Sequence, residues 1–231
     1  MSSSAQLALL PWLLGWDPPA DRTTFASGLH AGSTIGITAM LRPWREARRT
    51  LLMVAATAAP AALAGLLAAE RVEQRLGRPP QLAALLAGAG AALWAADRWS
   101  PQDRQVGPRE AGVAALAQVV ALVPGVSRSG ATLTALRLAG VERAAAERFS
   151  LLMSLPVTAG AATLTLARAD RAALRALGPS LATGALAAAL AGAGAARVVQ
   201  RHPGRTATVP ALYRLGLAVV VARRLSRKDG A

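Results

Sequence analysis

Apolar residues in this chain occur in long blocks that short polar links separate. Windows of about 15–20 residues with almost no charge cover 25–41, 50–69, 82–96, 111–127, 149–167, 180–196 and 209–222. A helix that crosses the hydrocarbon core of a bilayer needs about 20 residues. The windows 50–69 and 149–167 meet that length outright, whereas 82–96 and 209–222 need flanking residues or are partly re-entrant. The pattern predicts an all-α, polytopic membrane protein with about six to seven apolar helical segments.

A soluble, alanine-rich helical bundle is the alternative fold. It is disfavoured because arginines and acidic residues punctuate the apolar blocks instead of recurring within them at helical spacing. No linker divides the chain, so we expect one integral-membrane domain over residues 1–231. Residues 1–24 read as irregular, with an apolar patch at Leu7–Trp16 and a break at Asp17-Pro18-Pro19.

The net charge of +14 first suggests a nucleic-acid partner, but its distribution argues against one. The basic residues lie in links and near the end of the chain: Arg42, Arg45, Arg48, Arg49, Arg197, Arg201, Arg205, Arg223, Arg224, Arg227 and Lys228. Loops of membrane proteins carry such clusters, and aromatic residues that could stack on bases make up only 3% of the chain. The chain has no cysteine, which excludes disulfides and thiolate metal sites. The charge therefore fits a membrane protein that binds no nucleic acid.

One polar segment, residues 124–132, interrupts the apolar blocks in the middle of the chain. An arginine at membrane depth costs several kcal/mol unless it is buried in protein, paired or facing water. The segment combines glycines that free the backbone with hydroxyls and a guanidinium: Gly125, Ser127, Arg128, Ser129, Gly130 and Thr132. Such groups predict a loop that binds phosphate. Alternatively, Pro-Gly only breaks a helix, and Arg128 reaches to the membrane interface.

A short internal echo links this segment to the start of the chain. Ser2-Ser3-Ser4-Ala5 and Ser127-Arg128-Ser129-Gly130 both place one residue between two serines and follow them with a small residue. Membrane proteins with inverted repeats often carry broken helices at matching positions, with the binding site between them. The echo predicts an inverted repeat in which Ser3 approaches the segment from the other half.

These residues resemble the membrane-integral undecaprenyl-diphosphatases of the bacitracin-resistance type. The signature of that family is Pro-Gly-x-Ser-Arg-Ser-Gly-x-Thr, and residues 124–132 match every fixed position. Further similar segments are 25–41, 59–73, 118–123, 148–156 and 213–216. The resemblance covers nearly all of the chain.

The resemblance implies hydrolysis of undecaprenyl diphosphate to undecaprenyl phosphate and inorganic phosphate. That reaction recycles the lipid carrier of cell-wall synthesis and confers bacitracin resistance. Ser127 and Arg128 are the expected catalytic residues, with Ser127 as nucleophile or as a phosphate ligand while water attacks. The expected substrate-binding residues are Ser3, Gly125, Ser129, Gly130 and Thr132.

The resemblance also implies partners and a location. A polyprenyl diphosphate lipid is the expected substrate, and a divalent cation, Mg²⁺ or Ca²⁺, is the expected cofactor. The protein is expected in the bacterial plasma membrane as a multi-pass protein whose active site faces outward, and the resemblance allows a homodimer.

The start of the chain departs from the family pattern. Family members begin with a helix that leads into Glu-x-x-x-Glu and then Phe-Leu-Pro-Val-Ser-Ser-Ser-Ala-His or a close variant. Here Met1 stands at the valine position and Gln6 at the histidine position, and both glutamates are absent. We therefore expect no metal ligand in this chain, and a form that binds substrate but turns it over poorly. We interpret His30 as a helix-packing residue.

Two explanations of this departure stay open. The start is misassigned, with a valine codon read as initiator and the protein extending upstream; the coincidence of Met1 with the valine position favours this explanation. Otherwise the chain is a degenerate paralogue that binds polyprenyl phosphates without turnover. A different class of function, a transporter of small anionic solutes or lipids, would also explain a broken helix and a buried arginine.

Overall fold

The computed structural model describes residues 3–17, 19, 21–101, 103–202 and 208–229. Met1, Ser2, Pro18 and Arg205, which enter the sequence interpretation, lie outside these residues. The described part is helical and has no strand, so the predicted all-α class is confirmed. The helices are α1 Ser3–Leu14, α2 Arg22–Leu41, α3 Arg48–Leu76, α4 Pro79–Trp99, α5 Pro108–Val120, α6 Arg128–Leu138, α7 Arg143–Arg168, α8 Arg171–Arg201 and α9 Thr208–Asp229.

The prediction of an irregular N-terminal region is wrong, because α1 begins at Ser3. Its side chain Leu9 is fully buried in one apolar cluster with Leu82 of α4 and Val221 of α9. Burial of a leucine side chain contributes about 1.5–3 kcal/mol. The apolar patch therefore becomes a helix because α4 and α9, both distant in sequence, cover it.

Within the described ranges, three helical segments are long and apolar enough to cross a membrane: Arg48–Ala69, Arg143–Arg168 and Leu177–Arg201. Several leucines face outward from them, among them Leu66 and Leu190, which are 66% and 68% exposed. An apolar surface of this kind is expected where lipid is the solvent. The protein is thus a multi-pass α-helical membrane protein.

The helix break predicted at residues 124–132 is present. Helix α5 ends at Val120 and α6 begins at Arg128, with turns between them. The two helices have 13 and 11 residues, which at about 1.5 Å per residue makes each shorter than the roughly 30 Å hydrocarbon core. Neither helix crosses a bilayer by itself, and re-entry of the pair from one side stays a prediction.

The helix pairings repeat between α1–α4 and α6–α9. Helix α2 packs on α7 and α4 packs on α9, so equivalent helices of the two halves meet. If α1, α2, α3 and α4 correspond to α6, α7, α8 and α9, then the contact between α2 and α8 corresponds to that between α7 and α3. In the same way, the contact between α1 and α9 corresponds to that between α6 and α4. This is the pairing pattern of a two-fold repeat, as the echo in the sequence predicts.

Helix α2 lies directly against the backbone of α8 along a row of glycines. A methyl group added to Gly32 would overlap the backbone of Ala185, and one added to Gly36 would overlap that of Ala189. Small residues allow this close approach of helices in lipid. The contact holds α2 in a defined position relative to the rest of the bundle.

Candidate functional site

The segment between α5 and α6 has an unusual backbone at two positions. Gly125 has φ +93°, and an added Cβ there would lie 3.1 Å from Cβ of Leu85 in α4. Ser127 has φ +66° and ψ 124°, a conformation that a residue with a side chain rarely adopts. Such strain costs on the order of 1–3 kcal/mol and persists where the surroundings enforce it, often at functional sites.

Ser127 caps the N-terminus of α6. Its Oγ accepts the N–H of Gly130 at 3.4 Å and lies 3.3 Å from Oγ of Ser129. Its carbonyl oxygen accepts the N–H of Ala131 at 2.9 Å. Two hydroxyls and the first amides of α6 therefore meet at the positive end of a helix, where anions bind favourably.

Arg128, the first residue of α6, points towards α7. Its Nη1 donates to the carbonyl oxygen of Ser154 at 3.4 Å, and its buried Nε has no hydrogen-bond partner among the described residues. Buried polar groups are normally paired, and a guanidinium has five donors in a fixed fork. Arg128 can therefore offer several donors to an anion at the start of α6.

Thr132 fastens α6 to α7. Its hydroxyl lies 2.7 Å from Oγ of Ser150 and donates to the carbonyl oxygen of Arg128 at 3.0 Å. Only 1% of Thr132 is exposed. In the structure the hydroxyl braces the helix start, and the predicted contact of Thr132 with substrate stays a prediction.

Ser3 lies at the start of α1 and contacts α2. A hydrogen bond of 3.1 Å joins its Oγ to Nε2 of His30, and the charge of Arg128 acts on the His30 ring. Ser3 thus contacts His30, which lies within range of the charge of Arg128, and the predicted role of Ser3 in substrate binding stays a prediction. The sequence interpretation of His30 as a packing residue missed this contact, because it joins residues 27 positions apart.

Arg214 of α9 is a second guanidinium at the segment. It is only 1% exposed, and an added Cβ on Gly130 would overlap its guanidinium group. Its Nη1 donates to the carbonyl oxygen of Val126 at 3.5 Å, and its Nε has no partner among the described residues. On the sequence alone, Arg214 is distinguished only as part of the similar segment 213–216. An arginine inside an apolar window was the signal that could have identified it.

A cavity of about 560 Å³ opens beside the segment. Ser129 and Gly130 form part of one wall, and Glu147 and His202 also line the cavity. Most of the remaining lining is apolar, from Leu93, Leu133, Leu151, Val198, Val199 and Val209. The polar helix start and an apolar space are therefore contiguous.

The described residues do not fit a divalent cation. None of them forms a group of three or more histidine, aspartate or glutamate side chains that could hold a metal ion. Hard cations such as Mg²⁺ and Ca²⁺ prefer carboxylate oxygens, whereas the groups at the segment are hydroxyls and two buried guanidiniums. Positive charges at this place favour an anion.

Comparison with known proteins agrees with this picture. The family model described as bacitracin resistance protein BacA matches residues 1–220. An undecaprenyl-diphosphatase of Gemmatimonas aurantiaca is 38% identical over 251 aligned residues, which include 99% of this chain and 92% of that protein. One of Geobacter sulfurreducens is 38% identical over 229 residues, with 87% of this chain and 84% of that protein. One of Pelobacter propionicus is 40% identical over 186 residues, with 70% of this chain and 67% of that protein. This chain belongs to the BacA family of bacitracin resistance proteins.

Proposed function

We propose that the protein is an undecaprenyl-diphosphatase, which hydrolyses undecaprenyl diphosphate to undecaprenyl phosphate and inorganic phosphate. The observation that carries the proposal is an apolar cavity that Ser129 and Gly130 line at the start of α6, where Arg128 and Arg214 each leave a buried Nε without a partner among the described residues. A lipid diphosphate needs both parts, because its headgroup is strongly anionic and its tail is a long hydrocarbon. The relatives named undecaprenyl-diphosphatase support the same substrate.

The headgroup would bind at the start of α6. Arg128 supplies a planar fork that matches two phosphate oxygens, and the amides of α6 add the positive end of a helix dipole. Arg214, behind Gly130, adds a second positive charge. The two guanidiniums offset the charge of the diphosphate, and Arg128 also stabilises the negative charge that moves to the leaving phosphate.

The prenyl tail would leave the headgroup through the cavity beside Ser129. Its apolar lining removes isoprene units from water, at about 25 cal/mol for each Å² of apolar surface. The outward-facing leucines of the long helices place the protein in a bilayer, from which the tail can enter sideways. The substrate thus reaches the site from the membrane and only its phosphates meet polar groups.

Ser127 is the nucleophile that the sequence predicts. Its Oγ contacts Oγ of Ser129 and the N–H of Gly130, and neither group takes up a proton near neutral pH. Its strained backbone and its place at the helix start suit a phosphate ligand. Attack by Ser127 would require a base that these contacts do not include.

The location and assembly belong to the same proposal. A site that faces outward in the plasma membrane, and a homodimer, rest on the resemblance to the family alone. The divalent cation that the resemblance implies stays a prediction, since the described residues do not supply a carboxylate cage for it. The two arginines add positive charge at the headgroup site.

Phosphate release from undecaprenyl diphosphate by the purified protein in detergent tests the function. We expect slow but measurable turnover by the parent, because the family's glutamate pair is absent from this sequence, and loss of that turnover in Arg128→Gln. The matched control is Arg98→Gln, which removes an exposed charge from α4. Substrate binding without phosphate release would instead indicate a degenerate binder. Substrate movement across proteoliposomes without release would indicate a transporter.

A further inference from the structure

The site contains a pair of side chains that the phosphate-binding groups leave unused. The hydroxyl of Ser3 and the imidazole of His30 are 3.1 Å apart. The family pattern has a histidine at position 6, but here that position is Gln6, whose amide donates to Oη of Tyr213 at 3.1 Å. Helix α1 therefore carries no base at position 6, whereas α2 presents one to the first residue of α1.

We propose that His30 is the proton acceptor of this site and that the Ser3 hydroxyl is the group from which it takes the proton. The proposal rests on the proposed function and names the residues that activate the attack. A serine hydroxyl attacks phosphorus only weakly until a neighbouring base removes its proton. The distance between Oγ of Ser3 and Nε2 of His30 is within the range required of such a base.

The chemical step follows from this contact. Oγ of Ser3 forms a bond to the terminal phosphorus while its proton moves to Nε2 of His30. The bond from that phosphorus to the bridging oxygen breaks, and undecaprenyl phosphate leaves with the electron pair and takes up the proton from His30. Water then attacks the phosphoserine and gives a proton to His30, and inorganic phosphate leaves as the Ser3 oxygen recovers a proton from His30. Ser3 and His30 end in their starting states.

Arg128 connects this pair with the anion site. Its charge acts on the His30 ring, so the ring and the guanidinium lie in one electrostatic environment. The headgroup held by Arg128 is then presented to the hydroxyl that His30 activates. The base comes from α2 and the phosphate ligand from α6, one from each half of the repeat.

A purely structural role makes a different prediction. If the Ser3–His30 bond only packs α1 on α2, then breaking another interhelical bond of α1 should have a similar effect. Gln6→Ala provides that control, because the Gln6–Tyr213 bond joins α1 to α9 at the same distance and contains no base.

The experiment measures kcat, KM and the pH profile of phosphate release from undecaprenyl diphosphate. The proteins are the parent, His30→Gln, Ser3→Ala, the double variant and Gln6→Ala. We expect His30→Gln to lower kcat by about 100- to 10,000-fold, with KM within a few-fold. In His30→Gln, the fall in kcat at acid pH that reflects the protonation of His30 should disappear. Any fall in kcat that reflects ionisation of the substrate should be the same in all the proteins.

The double variant distinguishes two hypotheses: that Ser3 and His30 act as a catalytic pair, and that they make independent contributions to activity. Residues that act as a unit are not additive, so the double variant should lose no more activity than Ser3→Ala. Gln6→Ala should stay within about twofold of the parent. If His30→Gln aggregates in detergent, His30→Asn replaces it.

Three outcomes contradict the proposal, and each has a different meaning. An active parent together with His30→Gln at parental kcat and an unchanged pH profile overturns the role of His30 and leaves the proposed function intact. A correctly folded parent that releases no phosphate overturns the proposed function, and the proton transfer falls with it. A loss in His30→Gln no larger than that in Gln6→Ala assigns the pair to packing.

Discussion

The starts of α1 and α6 occupy corresponding places in the two halves, yet they carry different chemistry. At the start of α1, Ser3 contacts the His30 side chain of α2, 27 residues further on. At the start of α6, Arg128 contacts the backbone of Ser154 in α7, 26 residues further on. In both halves a side chain at a helix start reaches the next helix, but one contact joins a hydroxyl to a base and the other holds a cation. The two halves therefore share the arrangement of their helices, and single residues at the helix starts give each half a different chemical group.

On the α6 side of this comparison, we expect the largest effect from loss of the Arg128 guanidinium. Arg128→Lys keeps the charge but loses the fork, so kcat/KM should fall about 100-fold, and Arg128→Gln should fall further. Kinetics of phosphate release check both, with Arg98→Gln as the control for loss of charge. If Arg128→Lys matches the parent, Arg128 does not bind phosphate through two donors.

The second prediction compares the hydroxyls of the two halves. Ser3→Ala should lower kcat at least about 100-fold, because it removes the group that His30 activates. Ser127→Ala should lower kcat about tenfold, which corresponds to the lower end of the roughly 1.5–3 kcal/mol that a hydrogen bond to a charged ligand contributes. Single-turnover phosphate release checks the order. A larger loss of kcat in Ser127→Ala than in Ser3→Ala would indicate that Ser127 is the nucleophile.

A smaller effect is expected at the second guanidinium. Arg214→Lys should raise KM about tenfold with little change in kcat, because the ammonium keeps the charge but not the reach to the segment at Gly130. Initial rates over a range of undecaprenyl diphosphate concentrations measure it. A fall in kcat at unchanged KM would show that Arg214 acts in the transition state instead of in binding.

The smallest effect concerns stability on the α6 side. Gly130→Ala adds a methyl group that overlaps the Arg214 guanidinium and should cost about 1–3 kcal/mol. Gly112→Ala in α5 meets nothing within 4 Å and should be neutral or slightly stabilising. Thermal unfolding in detergent compares the two. Equal melting temperatures would mean that Arg214 moves aside without cost.

Sequence reasoning succeeded where the signal is local. The apolar windows predicted the long helices, because length and composition decide whether a segment spans a membrane. The segment 124–132 was recognised because its residues are consecutive. Helix α1 was missed because the residues that cover Leu9 come from α4 and α9.

The missed site residues have a common physical reason. His30 and Arg214 act through partners that lie 27 and 88 residues away. Within its own helix, neither residue belongs to a recognisable catalytic motif: His30 lies among small residues such as Ser33 and Thr34, and Arg214 follows Tyr213 in an apolar stretch. Only the packing of α2 and α9 brings them to Ser3 and Gly130.

The glycine row of α2 makes tolerance to substitution periodic along that helix. In a library of single substitutions selected for function, few variants at Gly32 and Gly36 should survive, because any side chain there would overlap the α8 backbone. Ile35, which is 67% exposed, should accept most apolar residues. Because the same helix carries His30, loss of function at these glycines would come from a displaced imidazole as much as from unfolding. A second-site change that lets α8 move outward should then restore activity without restoring the glycine.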